Sequence, residues 1–279
     1  MPALVAPHTH QLAAADGTLL HVSDYLLPGS SGPSIVLMHG LGEHSGRYRQ
    51  LAHFFNHLGL SVRCYDHRGH GRSQGARGDV PNGDPMLQDA QIVIEHFAAR
   101  FTRPPFLFGH SMGGLFAARF ALSGVTPLRG LVLSSPALSV GLSALQRRLQ
   151  RFLLSVAPRL AVPNGLQPDY LSHDEAVVRA YKADPLVHGK ISARLLQSML
   201  ESIVYCQQHA VTLAMPVLLQ VAGDDRLVDA AGSHAFFAKL PSGRATLKLY
   251  EGFFHEIFNE VDAARPRGDL QHWLSTQLT

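Results

Sequence analysis

The stretch FLFGHSMGGLFAARFAL, residues 106–122, places Ser111 among small residues where an apolar, strand-like run gives way to a helix-like one. Glycines at such a junction cost conformational entropy that a plain connection would avoid. Its centre, Gly109-His110-Ser111-Met112-Gly113, is a GxSxG pattern in a strand-to-helix setting. A turn this sharp forces its central residue into a sparsely populated φ/ψ region. Only glycine-sized neighbours at Gly109, Gly113 and Gly114 then let the helix approach closely enough. The serine hydroxyl is lifted above a sheet edge, over a helix N-terminus that favours developing negative charge.

Outward from this turn the same alternation repeats. Residues 18–27, 33–40, 60–69, 104–110, 128–136, 215–225 and 245–252 read as strands, several apolar on both faces as buried parallel strands are. Between them, residues 47–59 and 84–101 read as helices; in the second, Asp84 is placed to cap and Pro85 to take the first helical position. Strand and helix in alternation imply an α/β fold with a mainly parallel central sheet and helices on both faces. From about Ala137 to His209 the rhythm breaks: the pattern is helical, without a convincing strand. Leu142, Leu145, Leu149, Phe152, Leu153 and Val156 fall on one helical face, with Arg147, Arg148 and Arg151 nearby. The division expected is a core in two parts, residues 1–136 and 210–279, with a helical cap, 137–209, inserted between them; an ordinary core-packing helix pair is the plainer alternative.

The 279 residues suffice for one large α/β domain, and 46% hydrophobic against 16% charged residues is a globular composition. Net charge is +3, with the basic residues scattered rather than gathered into one block, which argues against a nucleic-acid partner. Cys64 and Cys206 fit neither a metal spacing nor a disulfide framework and read as buried free thiols. The first residues lack a basic segment followed by an apolar one, and no run of 18 apolar residues occurs, so the expectation is a cytoplasmic protein. His8 and His10, alternating on a strand, read as exposed histidines rather than metal ligands.

Serine is a weak nucleophile at neutral pH and needs a histidine to take its proton and a carboxylate to orient that histidine. In this architecture the chain order is serine, acid, histidine. GDDRLVD follows the strand at 215–222 and offers Asp224 or Asp225; YEGFFHEIFNE follows the strand at 245–250 and offers His255, the best placed of seventeen histidines. Taken singly, either aspartate could merely cap the next helix. HGLGEHSG, residues 39–46, follows another strand; its Leu41 amide, with that of Met112, would make a pair of oxyanion donors. A dinucleotide loop fits poorly, because Gly40-Gly42-Ser45 and Gly69-Gly71-Gln74 both lack the third glycine.

HGLGEHSGRY, DHRGHGRSQG, GHSMGG, ADPLVHGKIS, GDDRLVD and YEGFFHEIFNE together resemble the monoacylglycerol lipase and lysophospholipase branch of the α/β-hydrolases, nearly end to end. The resemblance implies Ser111 as nucleophile, Asp225, directly before Arg226, as triad acid, His255 as base, Leu41 and Met112 as oxyanion donors, and a helical cap over the site. Asp66, His70 and Asp184 are expected to hold loops in place. The implied reaction is hydrolysis of a single-chain lipid ester, first a monoacylglycerol, through an acyl-enzyme and without metal or organic cofactor. A lysophospholipase or broad carboxylesterase is the alternative. Behind these stand an aminopeptidase of related fold, for which the cap offers no acidic cluster, and a non-catalytic binding protein. Leu142, Leu145, Leu149, Phe152 and Leu153 are expected to wall an acyl channel. Should that stripe also meet a lipid surface, the arginines suit anionic headgroups in a transient contact.

Overall fold

The computed structural model describes residues 5–29 and 32–278. Residues 1–4, part of the stretch read for an export signal, lie outside the described residues. The first part of the chain runs β1 (His8–Ala13), β2 (Leu19–Tyr25), β3 (Ser34–Met38), α1 (Arg49–His57), β4 (Ser61–Tyr65), α2 (Pro85–Ala98), β5 (Phe106–His110), α3 (Met112–Ser123) and β6 (Gly130–Ser134). There follow α4 (Ala144–Val156), β7 (Ala161–Pro163), α5 (Glu175–Ala183), β8 (Lys190–Ser192) and α6 (Ala193–His209). The chain ends with β9 (Val217–Ala222), α7 (Ala230–Phe237), β10 (Ala245–Tyr250) and α8 (Ala264–Leu278).

One eight-stranded sheet, in the order β1-β2-β4-β3-β5-β6-β9-β10, holds the molecule together. The pairs β1/β2 and β2/β4 are antiparallel and all the others are parallel. The α/β fold with a mainly parallel sheet is therefore as the sequence implied. Every residue of β3, β4, β5, β6 and β9 is buried. Alternate side chains feed two cores: Val36, Met38, Leu107 and Leu133 pack under α2, α3 and α6, whereas Ile35, Leu37, Phe106 and Phe108 pack under α1 and α8. Across β2 and β4, Asp24 and Arg63 are register partners joined by 2.7 and 2.6 Å bonds; breaking so buried a pair from one side costs about 3–5 kcal/mol.

Three sequence expectations need correction. HTHQLA, where His8 and His10 were read as alternating on a strand, forms β1 at the sheet edge, with His8 exposed as expected but His10 half-buried. The stretch read as strandless contains a short antiparallel ribbon, Ala161–Pro163 with Lys190–Ser192. Asp84 does not cap α2 with its side chain; its carbonyl accepts the amides of Leu87 and Gln88, while Pro85 opens the helix as expected. Cys64 and Cys206 are free and buried. Among the described residues no helix is long and apolar enough to cross a membrane.

Candidate active site

Ser111 sits at the carboxyl end of β5 with φ 54° and ψ −120°, a conformation costing about 1–3 kcal/mol that its surroundings must enforce. They do so through backbone bonds: Ser111 N donates to Ser134 O at 3.0 Å, and Ser111 O accepts from Leu115 and Ala137. The flanking glycines are sterically required. A Cβ on Gly109 would lie 2.5 Å from Gly113 O, and one on Gly113 would lie 2.3 Å from Met38 O. Helix α3 thus rests directly on the backbone of β3 and β5, and Met112 opens it with an amide that has no partner one turn earlier.

The loop after β3 lies against this turn, since a Cβ on Gly40 would be 3.3 Å from Ser111 Cβ. Leu41, Ser111 and Met112 line one cavity of about 300 Å³, shared with Leu142, Asn164, Tyr170 and Arg226 among others. Its volume is at the lower end for ligand pockets. Larger surface hollows, such as one of about 590 Å³ between α4 and α6, contain none of the residues singled out for chemistry.

The two acids of GDDRLVD separate cleanly. The Asp224 side chain is 47% exposed and, among the described residues, pairs with Arg226 alone, at 3.4 Å. The Asp225 side chain is buried, 2% exposed: Oδ1 accepts the amides of Leu227 and Val228, each at 2.9 Å, and Oδ2 meets His255 Nδ1 at 2.7 Å. Burial pushes the Asp225 carboxyl up, but the His255 ring and the three hydrogen bonds outweigh it and hold it below the usual carboxylate range. For His255 burial favours the neutral ring, yet the charge and bond of Asp225, with Glu256 and Glu43 behind, raise its pKa above the usual histidine value. With Nδ1 engaged, Nε2 is the nitrogen that can take a proton. The His255 ring lies 4.7 Å from that of His110, the residue before Ser111. His110 itself, buried and next to His255, is pushed down to about 4 and stays neutral.

Asp66 accepts the amides of Ser45 and Arg72, and His70 Nδ1 bonds Arg68 O. Asp184 Oδ2 meets His44 Nε2 at 2.9 Å, and the His188 amide reaches Gly42 O at 2.8 Å. All hold loops, as expected of them. The apolar stripe does not wall the cavity: Leu142 lines it, but Leu145, Leu149, Phe152 and Val156 are 76%, 54%, 61% and 59% exposed, because α4 shows its apolar face to solvent. Sequence reasoning passed over Glu43, Arg47 and Glu256, which form a buried ion cluster beside the site. The only local signal was the i, i+4 spacing of Glu43 and Arg47.

The Hydrolase_4 family model, described as serine aminopeptidase, S33, matches residues 30–262. The chain belongs to this family of α/β-hydrolases. This family member is 34% identical over 96% of its length to a monoacylglycerol lipase of Mycolicibacterium smegmatis, covering 97% of that protein. It is 33% identical over 82% of its length to the phospholipase YtpA of Bacillus subtilis, covering 89% of that chain. Among solved structures it resembles the monoacylglycerol lipase of Paleococcus ferrophilus at a TM-score of 0.84 and 33% identity, with 92% and 99% of the two chains covered. As a serine hydrolase of the α/β fold, it has relatives that are lipases of lipid esters.

Proposed function

We propose that this serine hydrolase cleaves carboxylic esters of single-chain lipids, with monoacylglycerol as the first substrate, and that Ser111, His255 and Asp225 are its catalytic triad. The observation that carries the reading is the 2.7 Å bond from His255 to Asp225, with the His255 ring 4.7 Å from the residue that precedes a strained Ser111. Ser111 Oγ attacks the ester carbonyl as its proton passes to His255 Nε2, and the Leu41 and Met112 amides hold the oxyanion. The carbon–oxygen bond to glycerol breaks and the alcohol leaves with that proton. Water then attacks the acyl-enzyme, gives a proton to the same nitrogen, and the fatty acid departs as Ser111 regains its hydrogen. Nothing in these steps calls for a cofactor.

Apolar walls at Leu142, Leu196 and Met199 suit an acyl chain, and each buried methylene contributes about 0.8 kcal/mol. Polar residues share the same cavity, among them Ser139, Gln167 and Tyr170, and suit the hydroxyls of an alcohol. The aminopeptidase reading fits less well: among the described lining residues the only carboxylate is Asp229, and its Oδ1 already accepts Ala231 N at the start of α7. The segment 137–209 serves as the cap, with the exposed face of α4 and Arg147, Arg148 and Arg151 meeting an anionic lipid surface transiently.

The test is a matched panel of long-chain monoacylglycerol, lysophosphatidylcholine, short-chain esters and an amino-acid amide, with Ser111→Ala alongside. Highest kcat/KM on monoacylglycerol, abolished in the variant, is expected. A preference for lysophosphatidylcholine reassigns the headgroup, and cleavage of the amide alone refutes the ester reading.

A further inference from the structure

Three parts of the site meet at one guanidinium. Arg47 lies in the short turn Ser45–Tyr48 ahead of α1. Its Nη1 donates to Glu43 Oε2 at 2.5 Å, and its Nη1 and Nη2 donate to the two carboxylate oxygens of Glu256 at 2.6 and 2.8 Å. Glu43 in turn fixes the loop after β3, for its Oε1 accepts the Gly40 amide at 2.6 Å and the Tyr48 hydroxyl at 2.5 Å. Glu256 follows His255 in the chain; its amide donates to Leu171 O at 2.8 Å and its Oε2 accepts from Asn259. The guanidinium also lies 4.8 Å from the ring centre of Tyr181 on α5.

Stability does not explain this cluster. Two carboxylates and one guanidinium, all nearly excluded from solvent, surrender hydration that their attraction only roughly returns. Apolar side chains of similar volume commonly serve the fold as well or better. Nor does Arg47 line the cavity that holds Ser111, so it does not touch the reacting atoms. What the cluster does is join Gly40, beside Leu41, to Glu256, beside His255, through a bidentate pair of bonds to Glu256 and a single bond to Glu43.

We propose that Arg47 is a positioning residue for the hydrolytic reaction, holding the loop that carries the Leu41 amide and the loop that carries His255 in one register through Glu43 and Glu256. The inference rests on the triad reading above. Oxyanion donors and base act on the same tetrahedral centre, and a displacement of about 1 Å between them costs about 100-fold in rate. The cluster also bears on the charge of the base. Facing His255 are Asp225 from the loop after β9, its own neighbour Glu256, Glu43 from the loop after β3, and neutral His110 at the end of β5. The carboxylates favour the imidazolium that forms as Ser111 gives up its proton.

The experiment compares Arg47→Lys, Arg47→Met and Glu256→Gln with the wild-type chain for kcat, KM, thermal midpoint, fluorophosphonate labelling of Ser111, and titration of the His255 imidazole by NMR. Arg47→Met is expected to lose about 10- to 100-fold in kcat with little change in KM, and Arg47→Lys, which keeps the charge without the fork, to recover part of it. Glu256→Gln keeps the side-chain shape and decides the matter if Arg47→Met fails to fold. Its kcat should fall, and both its His255 titration and the acid limb of its pH–rate profile should move to lower pH. A wild-type chain that hydrolyses no ester and takes up no fluorophosphonate on Ser111 overturns the triad reading itself. An active wild type beside well-folded variants of unchanged kcat and unchanged His255 titration overturns this inference alone.

Discussion

Replacing Asp225 by asparagine isolates what the buried acid contributes. Asparagine keeps an oxygen for the amides of Leu227 and Val228, so the loop after β9 retains both of its 2.9 Å bonds. Only the atom facing His255 Nδ1, now at 2.7 Å, changes from carboxylate oxygen to NH2. That group donates, so Nδ1 must accept and the ring proton moves to Nε2. This is the wrong tautomer to take the serine proton, and the charge that stabilised the imidazolium is gone as well. The expected loss is about 10⁴-fold in kcat, the size seen for this change in other serine triads, or about 5 kcal/mol of transition-state stabilisation. Asp224, whose half-exposed side chain pairs with Arg226 at 3.4 Å, supplies the control: Asp224→Asn should stay within about twofold of wild type. The assay is kcat and KM on a soluble ester, with thermal midpoints to show that both variants fold. Equal losses in the two variants, or a nearly active Asp225→Asn, would refute the assignment.

Because Asp225, Glu256 and Glu43 raise the His255 pKa against the opposing effect of burial, the neutral base should be depleted as pH falls through a value higher than that of a free histidine; a kcat/KM profile flat into strongly acidic pH would remove His255 from the mechanism. Gly113→Ala would set a Cβ 2.3 Å from Met38 O and 2.4 Å from His39 O, both backbone atoms, and should cost about 3 kcal/mol or prevent folding, whereas Gly141→Ala, with nothing within 4 Å, should leave the melting curve in place. Phe152→Asp, at a position 61% exposed, should leave the thermal midpoint alone yet weaken co-sedimentation with anionic vesicles; undiminished binding would refute lipid docking through α4.

The parts of this fold legible from residues alone are those whose signal is local. Strands buried on both faces announce themselves as continuous apolar runs, and β3 through β6 and β9 are of that kind. The ribbon Ala161–Pro163 with Lys190–Ser192, three residues a side, falls below what periodicity detects, and the edge strand β1 showed itself only through the alternation of His8 and His10. Helix α4 shows the opposite limit. Its stripe was visible, but periodicity says only that an apolar face exists, and here the face looks outward.

The sequence by itself determined the strand-to-helix turn at Ser111 and the mainly parallel sheet, at one edge of which the loops of Ser111, Asp225 and His255 emerge. Backbone sterics, glycine placement and hydrophobic periodicity are short-range physics, written in consecutive residues. The tertiary structure alone decided that α4 leaves its apolar face uncovered and that Arg47 grips Glu256 from 209 positions away, and it sets Asp225, the aspartate the resemblance had already singled out, against His255. A hydrogen bond between side chains so distant depends on where the sheet's crossovers deliver each loop, and no local pattern encodes that meeting.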